Sequence, residues 1–319
     1  MERVIEVGDL TVRLSAADGR RAAALENLLG RWPESRASPE IWIRYELGGP
    51  ELPDRPADVR SAATQVWFAG TDVVAVEPSG ISGSVSSGEI WLGGPSTDLA
   101  GGLSRLFLSV LTHALFPYER FVLHAGAIDL GGRAALLLGA SGMGKSTLAF
   151  AGSGMGWRVL GDDIVMLRRR GEEKFEVAGL SARAAVVPSE VLEGPGERGE
   201  RLPGDPRRRS VLSELSPERG WSIVATNVLV VHGEAPKATL APVASGTALS
   251  TLLQSSVATI NPRLLPTFFA AAHRLAQEPS FRLAQGRDPV SRLIGAQACL
   301  GELAGRLRQR PAAVASPCS

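Results

Sequence analysis

Apolar and polar residues alternate in short stretches through the first third of the chain. Val4-Ile5-Glu6-Val7 and Thr11-Val12-Arg13-Leu14 flank Gly8-Asp9, which predicts two half-buried strands separated by a turn. Ile41 to Leu47, Thr64 to Phe68, Val73 to Val76 and Glu89 to Leu92 read the same way, with Gly48-Gly49-Pro50 and the proline-rich Leu52 to Pro56 as breaks. This region is therefore expected to be mostly β. From Ser96 or Thr97 the period lengthens: Leu99, Leu103, Leu106, Phe107, Val110 and Leu111 recur at three- and four-residue spacing, a helix that Pro117 ends.

Beyond Pro117 the apolar runs are longer. Phe121 to Asp129 and Ala134 to Leu138 predict β-strands joined in a hairpin at Gly131-Gly132, and the second runs straight into a glycine-rich loop. A helix is expected from Lys145 to about Ala151, broken by Gly154 and Gly156. Strands follow at Trp157 to Leu160, Ile164 to Arg168 and Lys174 to Val177, the last two paired across Gly171. Gly194 to Arg209 is dense in Gly, Pro, Arg and Glu and reads as a surface loop. Asn227 to Val231 returns to strand, and Leu264 to Ala276 and Val290 to Leu307 read as closing helices. The division that follows is a β-rich region with a connecting helix over residues 1–117, an α/β region over 118–310 and a flexible tail over 311–319.

Composition narrows the function. The 319 residues are 44% hydrophobic, enough to bury a substantial core, and 34 Lys and Arg against 33 Asp and Glu leave a net charge of +1. That balance gives no general electrostatic reason to bind nucleic acid or an anionic membrane. Cys299 and Cys318 have no partners at metal-ligand spacing, and no apolar run is long enough to span a bilayer, so a cytoplasmic protein is expected.

Gly139-Ala140-Ser141-Gly142-Met143-Gly144-Lys145-Ser146 satisfies GxxxxGK[ST] in full, between an apolar strand and a helix as that motif requires. Such glycines let the backbone turn its N–H groups toward a phosphate, and the helix N-terminus adds partial positive charge. Gly139, Ser141, Gly142, Met143, Gly144, Lys145, Ser146 and Thr147 are thus expected around a nucleotide, with Lys145 reaching the β- and γ-phosphates and Ser146 ligating Mg²⁺. ATP is the expected nucleotide, with GTP open. Asp162-Asp163 ends the next strand after the loop helix; one carboxylate of such a pair serves Mg²⁺ and the other accepts the proton of an attacking hydroxyl. His124 lies in the strand before the loop strand, where it either faces the phosphates or is a satisfied core residue. Arg207-Arg208-Arg209 read as solvated.

The order of a His-containing strand (Leu123-His124-Ala125-Gly126), a hairpin, the GxSGxGKS loop and an Asp-Asp strand (Arg158 to Asp163) resembles the C-terminal kinase domain of HPr kinase/phosphorylase, over about residues 119 to 170. The resemblance implies a compact α/β fold related to phosphoenolpyruvate carboxykinase and Mg-ATP-dependent phosphorylation of a seryl hydroxyl. It also implies Asp162 as general base, Asp163 as Mg²⁺ partner, His124 close to the phosphates, and a homo-oligomer. Three features depart from it. Thr147 stands where those kinases have Glu, their Arg/Gly-rich segment after the acid pair is represented at best by Arg183, and residues 1–117 differ from their N-terminal domain. A β-rich first third followed by a diverged kinase domain looks more like the HPr kinase-related proteins of ribosomal-peptide biosynthetic clusters. In lasso-peptide clusters these phosphorylate a serine of the precursor. The expected function is a serine kinase for a peptide or protein; the rivals are a catalytically silent, nucleotide-responsive peptide-binding module and a small-metabolite kinase.

Overall fold

The alternating stretches form strands. β1 (Glu2–Val7) and β2 (Leu10–Ala16) make a hairpin, α1 (Gly19–Leu29) follows, and β3 (Ile41–Glu46), β4 (Val59–Arg60), β5 (Gln65–Ala69), β6 (Asp72–Val76), β7 (Ser82–Ser86) and β8 (Glu89–Gly93) complete the first third. The computed structural model describes residues 2–29, 32–61, 64–94, 102–171, 174–180, 183–186, 200–201, 208–211, 220–233, 237–256, 260–286 and 289–309. These eight strands form one mixed sheet in the order β1-β2-β3-β8-β7-β6-β5-β4, with β2, β3 and β8 parallel. In β3, Ile41, Ile43 and Tyr45 are buried while Trp42 is exposed, the two-residue period of a sheet with one covered face.

Two helices take part in covering that face. α1 was not expected from the alternation. Its start is marked by Asp18, whose carboxylate accepts the Arg21 N–H at 2.9 Å, and Ala22, Leu25 and Leu29 line its buried side. α2 (Gly102–Leu115) packs against β6, β7 and β8 with Leu103, Leu106, Phe107, Val110 and Leu111 all buried, as their spacing predicts. The expected start of this helix at Ser96 or Thr97 falls outside the described residues. A single 3₁₀ turn, Phe116–Tyr118, ends the helix at Pro117.

The second part comprises β9 (Arg120–His124), β10 (Gly126–Asp129), β11 (Arg133–Leu138), α3 (Lys145–Ser153), β12 (Arg158–Gly161), β13 (Ile164–Arg170) and β14 (Lys174–Gly179). It continues with β15 (Arg183–Val186), β16 (Glu200–Arg201), β17 (Arg208–Val211), β18 (Ser222–His232), β19 (Thr239–Pro242), α4 (Ser245–Gln254), α5 (Leu265–Leu275), β20 (Ser280–Gln285) and α6 (Pro289–Arg308). The main sheet runs β12-β10-β11-β18-β14-β13-β9, and the long β18 also pairs with β20, which pairs with β19. β11, β18 and β20 are parallel, so the strand that feeds the glycine-rich loop lies in a parallel core. α3 and α6 share a buried cluster with one side of that core, and α4 and α5 share another with β9, β11, β13 and β14.

Two sequence expectations change here. Phe121 to Asp129 is two strands, because β9 pairs with β13 whereas β10 pairs with β11 and β12; the break falls at Ala125. Within the range read as a surface loop, Glu200–Arg201 and Arg208–Val211 are strands of a small sheet in the order β15-β17-β16, which puts Arg208 and Arg209 in β17; Arg207 and the tail over 311–319 lie outside the described residues. The buried cluster of the first sheet also takes in Val122, Ile164, Met166 and Leu180, so one core spans the 117/118 boundary. Among the described residues no helix is long and apolar enough to cross a membrane.

Candidate functional site

β11 positions the loop. Its residues Ala134 to Leu138 are fully buried between β10 and β18. The hairpin that leads into it is pinned by Asp129, which accepts hydrogen bonds from Arg158 at 2.6 Å, from the Ser222 hydroxyl at 2.8 Å and from the Gly132 N–H at 2.5 Å. Burial alone would raise the Asp129 carboxyl, but these bonds together hold it below the usual carboxylate value.

After Leu138 the chain enters the loop at Gly139 with φ +146° and leaves it at Gly144 with φ +93°. A Cβ on Gly144 would lie 2.4 Å from the amide of Gln285, so this position requires glycine for space as well as for its dihedral. Gln285, 1% exposed at the end of β20, donates its side-chain N–H to the Gly144 carbonyl at 3.1 Å. α3 then starts at Lys145, and its first turn carries Ser146 and Thr147, both half-buried. The earliest helical bond of that turn is Leu148 N–H to Gly144 O at 3.0 Å, so the amides of residues 145 to 147 stand at the open N-terminal end. Ser141 and Gly142 are exposed at the loop tip and Met143 is half-buried.

Lys145 is 5% exposed. Its Nζ donates to the carbonyls of Gly139 at 2.8 Å and Ala140 at 3.2 Å and lies 3.0 Å from His124 Nε2. On the other side of the ring, His124 Nδ1 is 3.2 Å from Asp163 Oδ1. With a cationic Lys145 donating to Nε2, the imidazole proton sits on Nδ1, toward Asp163. His124 is therefore the link between the loop lysine and the acid pair.

Topology explains why these residues meet. The chain crosses between the two ends of the sheet path twice, at Ala125 and at Asp162-Asp163. The crossings lie side by side: Ile164 is in register with His124, Ala127 is in register with Gly161, and a Cβ on Gly126 would lie 3.3 Å from Gly161 O. Asp162 is buried, at 3% exposed, whereas the Asp163 side chain is half exposed.

A cleft of about 490 Å³ opens against this corner. Its walls come from the loop (Gly139 to Ser141), from His124 and Asp163, and from the C-terminal end of α4 with Thr251, Gln254, Ser255 and Ser256. α4 is fastened there because the His124 N–H donates to Ser255 O at 2.7 Å and Ser256 bridges to Leu123. Sequence reasoning missed Gln285 and the α4 residues, which carry no local motif. It named Arg183, which lies in β15 beside α3. His113 is buried away from this corner, with Nδ1 donating to Ser109 O at 2.8 Å and Nε2 accepting the Asn261 N–H at 3.1 Å.

Among the described residues no cluster of three or more His, Cys, Asp or Glu forms a ready metal cage. Mg²⁺ bound through nucleotide phosphates needs none, since it takes one or two protein oxygens and keeps water for the rest. A Ser146 hydroxyl and an acid pair are a donor set of that kind. No protein-family model and no curated protein matches the chain.

Proposed function

We propose that this chain is a Mg-ATP-dependent serine kinase of the HPr kinase-like, P-loop type, acting on a hydroxyl of a peptide or protein. The observation that carries this reading is the complete GxxxxGKS loop whose Lys145 lies 3.0 Å from His124, itself 3.2 Å from Asp163, at the mouth of a cleft. A nucleotide placed with its β-phosphate in the loop directs its terminal phosphate to Lys145 and so toward that cleft. Lys145 then leaves the Gly139 and Ala140 carbonyls for the phosphate oxygens. The amides of residues 145 to 147 add the favourable end of the helix dipole.

In the transfer, the acceptor oxygen attacks the terminal phosphorus, the bond from that phosphorus to the bridging oxygen of ADP breaks, and the hydroxyl proton passes to a carboxylate. The resemblance assigns that carboxylate to Asp162. The geometry favours Asp163, which walls the cleft while Asp162 is buried. Ser146 and Asp162 would then hold Mg²⁺, which neutralises charge on the β- and γ-oxygens when bound. A ribosomal-peptide precursor as substrate and a homo-oligomeric state are part of the proposal.

The test is transfer of labelled γ-phosphate from Mg-ATP to HPr and to peptides encoded next to the gene. Serine labelling, abolished in Lys145→Ala, supports the reading. Asp163→Asn that binds ATP but transfers nothing, beside an Asp162→Asn with altered Mg²⁺ dependence, supports the division of roles; the opposite pattern returns the base to Asp162. ATP binding with no acceptor labelled would favour a nucleotide-responsive binding module.

A further inference from the structure

The cleft beside Lys145 is larger than a terminal phosphate requires, and it extends away from the loop toward α4. Its far wall is made of Thr251, Gln254, Ser255 and Ser256, with Leu108 of α2 and Ile164 of β13 as aliphatic surface. Among the described residues that wall it, His124 and Asp163 are the ionisable ones, and neither Lys nor Arg contributes. The contents of such a space are limited by charge. An acceptor carrying a carboxylate or phosphate beside its hydroxyl would meet the Asp163 carboxylate with no guanidinium or ammonium on the described wall to pair with it, an arrangement that disfavours binding. Hydroxyl and amide groups from one helix end, together with two aliphatic side chains, suit a neutral residue with a short polar group.

We propose that the space between the C-terminal end of α4 and the His124–Asp163 corner is the acceptor subsite, and that it selects an uncharged seryl or threonyl side chain within a peptide over acidic hydroxylated metabolites. This rests on the kinase reading above. α4 carries the selectivity: Thr251 and Gln254 stand one helical turn apart at the wall, and Ser255 is locked to the catalytic corner through the His124 N–H. The substrate side of the site thus belongs to a helix about a hundred residues after the loop in sequence, tied to β9 by the hydrogen bond from the His124 N–H to Ser255 O and by the Leu123–Ser256 bridge.

The experiment measures Mg-ATP binding by calorimetry and labelled-phosphate transfer to a peptide library with a central Ser or Thr and neutral, acidic or basic flanks, with glycerate as an acidic small acceptor. Wild-type protein is expected to label neutral-flanked peptides in preference to acidic ones and to glycerate. Thr251→Phe, which fills the cleft, should raise the KM for peptide about tenfold or more with ATP affinity unchanged, since it blocks an acceptor contact only. Thr251 donates to Thr247 O within its own helix, so its loss costs little structure. Gln254→Arg, at an exposed position, should move the flank preference toward acidic peptides by about tenfold, by supplying the missing cation.

Failure to bind ATP, or ATP binding with no acceptor labelled, overturns the kinase reading and the subsite with it. With some acceptor labelled, a best signal from glycerate or from acidic peptides, or both variants unchanged in KM and flank preference, overturns the subsite while phosphate transfer stands.

Discussion

Lys145 is held at three points, by two carbonyls of its own loop and by His124. The lysine tip is thereby kept at the corner where a terminal phosphate is expected, and its replacement should be felt in transfer more than in folding. Lys145→Ala is expected to lower γ-phosphate transfer about 10²- to 10³-fold, the size of losing one charged donor at a transition state; kcat measured at saturating Mg-ATP checks it. Gln285 acts one step further from the chemistry. Its amide donates to Gly144 O, and the carbonyl it holds also accepts the first helical bond of α3. Gln285→Leu removes that donor at a buried place, a loss of about 1 kcal/mol, so ATP affinity should fall roughly fivefold by calorimetry. An unchanged affinity would mean that the loop keeps its shape without β20.

At the scale of elements, α2 is joined to the segment before α5 through one buried imidazole. His113 Nδ1 donates to Ser109 O and Nε2 accepts the Asn261 N–H, so the ring is neutral, and burial pushes its pKa below the ordinary 6.5. As pH falls below 6.5 the unfolded chain takes up a proton at this position and the folded chain does not, so stability drops by up to about 1.4 kcal/mol per pH unit until the folded value is reached. His113→Gln, which keeps a carbonyl oxygen for the Asn261 N–H, should show a shallower fall of Tm between pH 7 and 5 than the wild type; an equal slope would place the titrating group elsewhere. The sequence revealed these elements unevenly. β11, the loop and α3 are legible because motif and apolar run are contiguous over Ala134 to Ala151, and α2 because its spacing is regular. α1 was missed, although Asp18 and the buried stripe of Ala22, Leu25 and Leu29 mark it. The break at Ala125 was illegible because only strand pairing creates it, and α4 and Gln285 because they reach the loop across parallel strands whose order no local pattern states.

For the whole molecule, the question is what joins the first sheet to the second half of the chain. The turn between β1 and β2 enters the second half at Gly8, where an added Cβ would lie 2.7 Å from Met166 and 2.9 Å from the Trp221 ring. Next to it Asp9 accepts from Arg120 at 2.5 Å and from Arg168 at 2.7 Å, Arg168 also donates to Glu176 at 2.7 Å, and the Arg168 guanidinium lies 4.3 Å from the centre of the Trp221 ring. Burial opposes ionisation of Asp9, yet its hydrogen bonds to the two arginines hold its pKa below the ordinary 3.8. The stability this contributes is present above pH 3.8 and is lost as pH falls through the lower folded value. Since β9 and β13 carry both arginines and also His124 and Ile164 at the site, the turn braces the strands that place the corner. Asp9→Asn should lower unfolding free energy by about 2 kcal/mol at pH 7, the scale of charged hydrogen bonds lost at a partly buried place, and should lose its effect as pH falls through the lowered folded value. The transition should stay single, because the buried cluster that includes Val122, Ile164 and Met166 belongs to both halves. Calorimetric unfolding that splits into two peaks in this variant would mean that the first sheet and the second half fold as separate units, and that the corner does not depend on the turn.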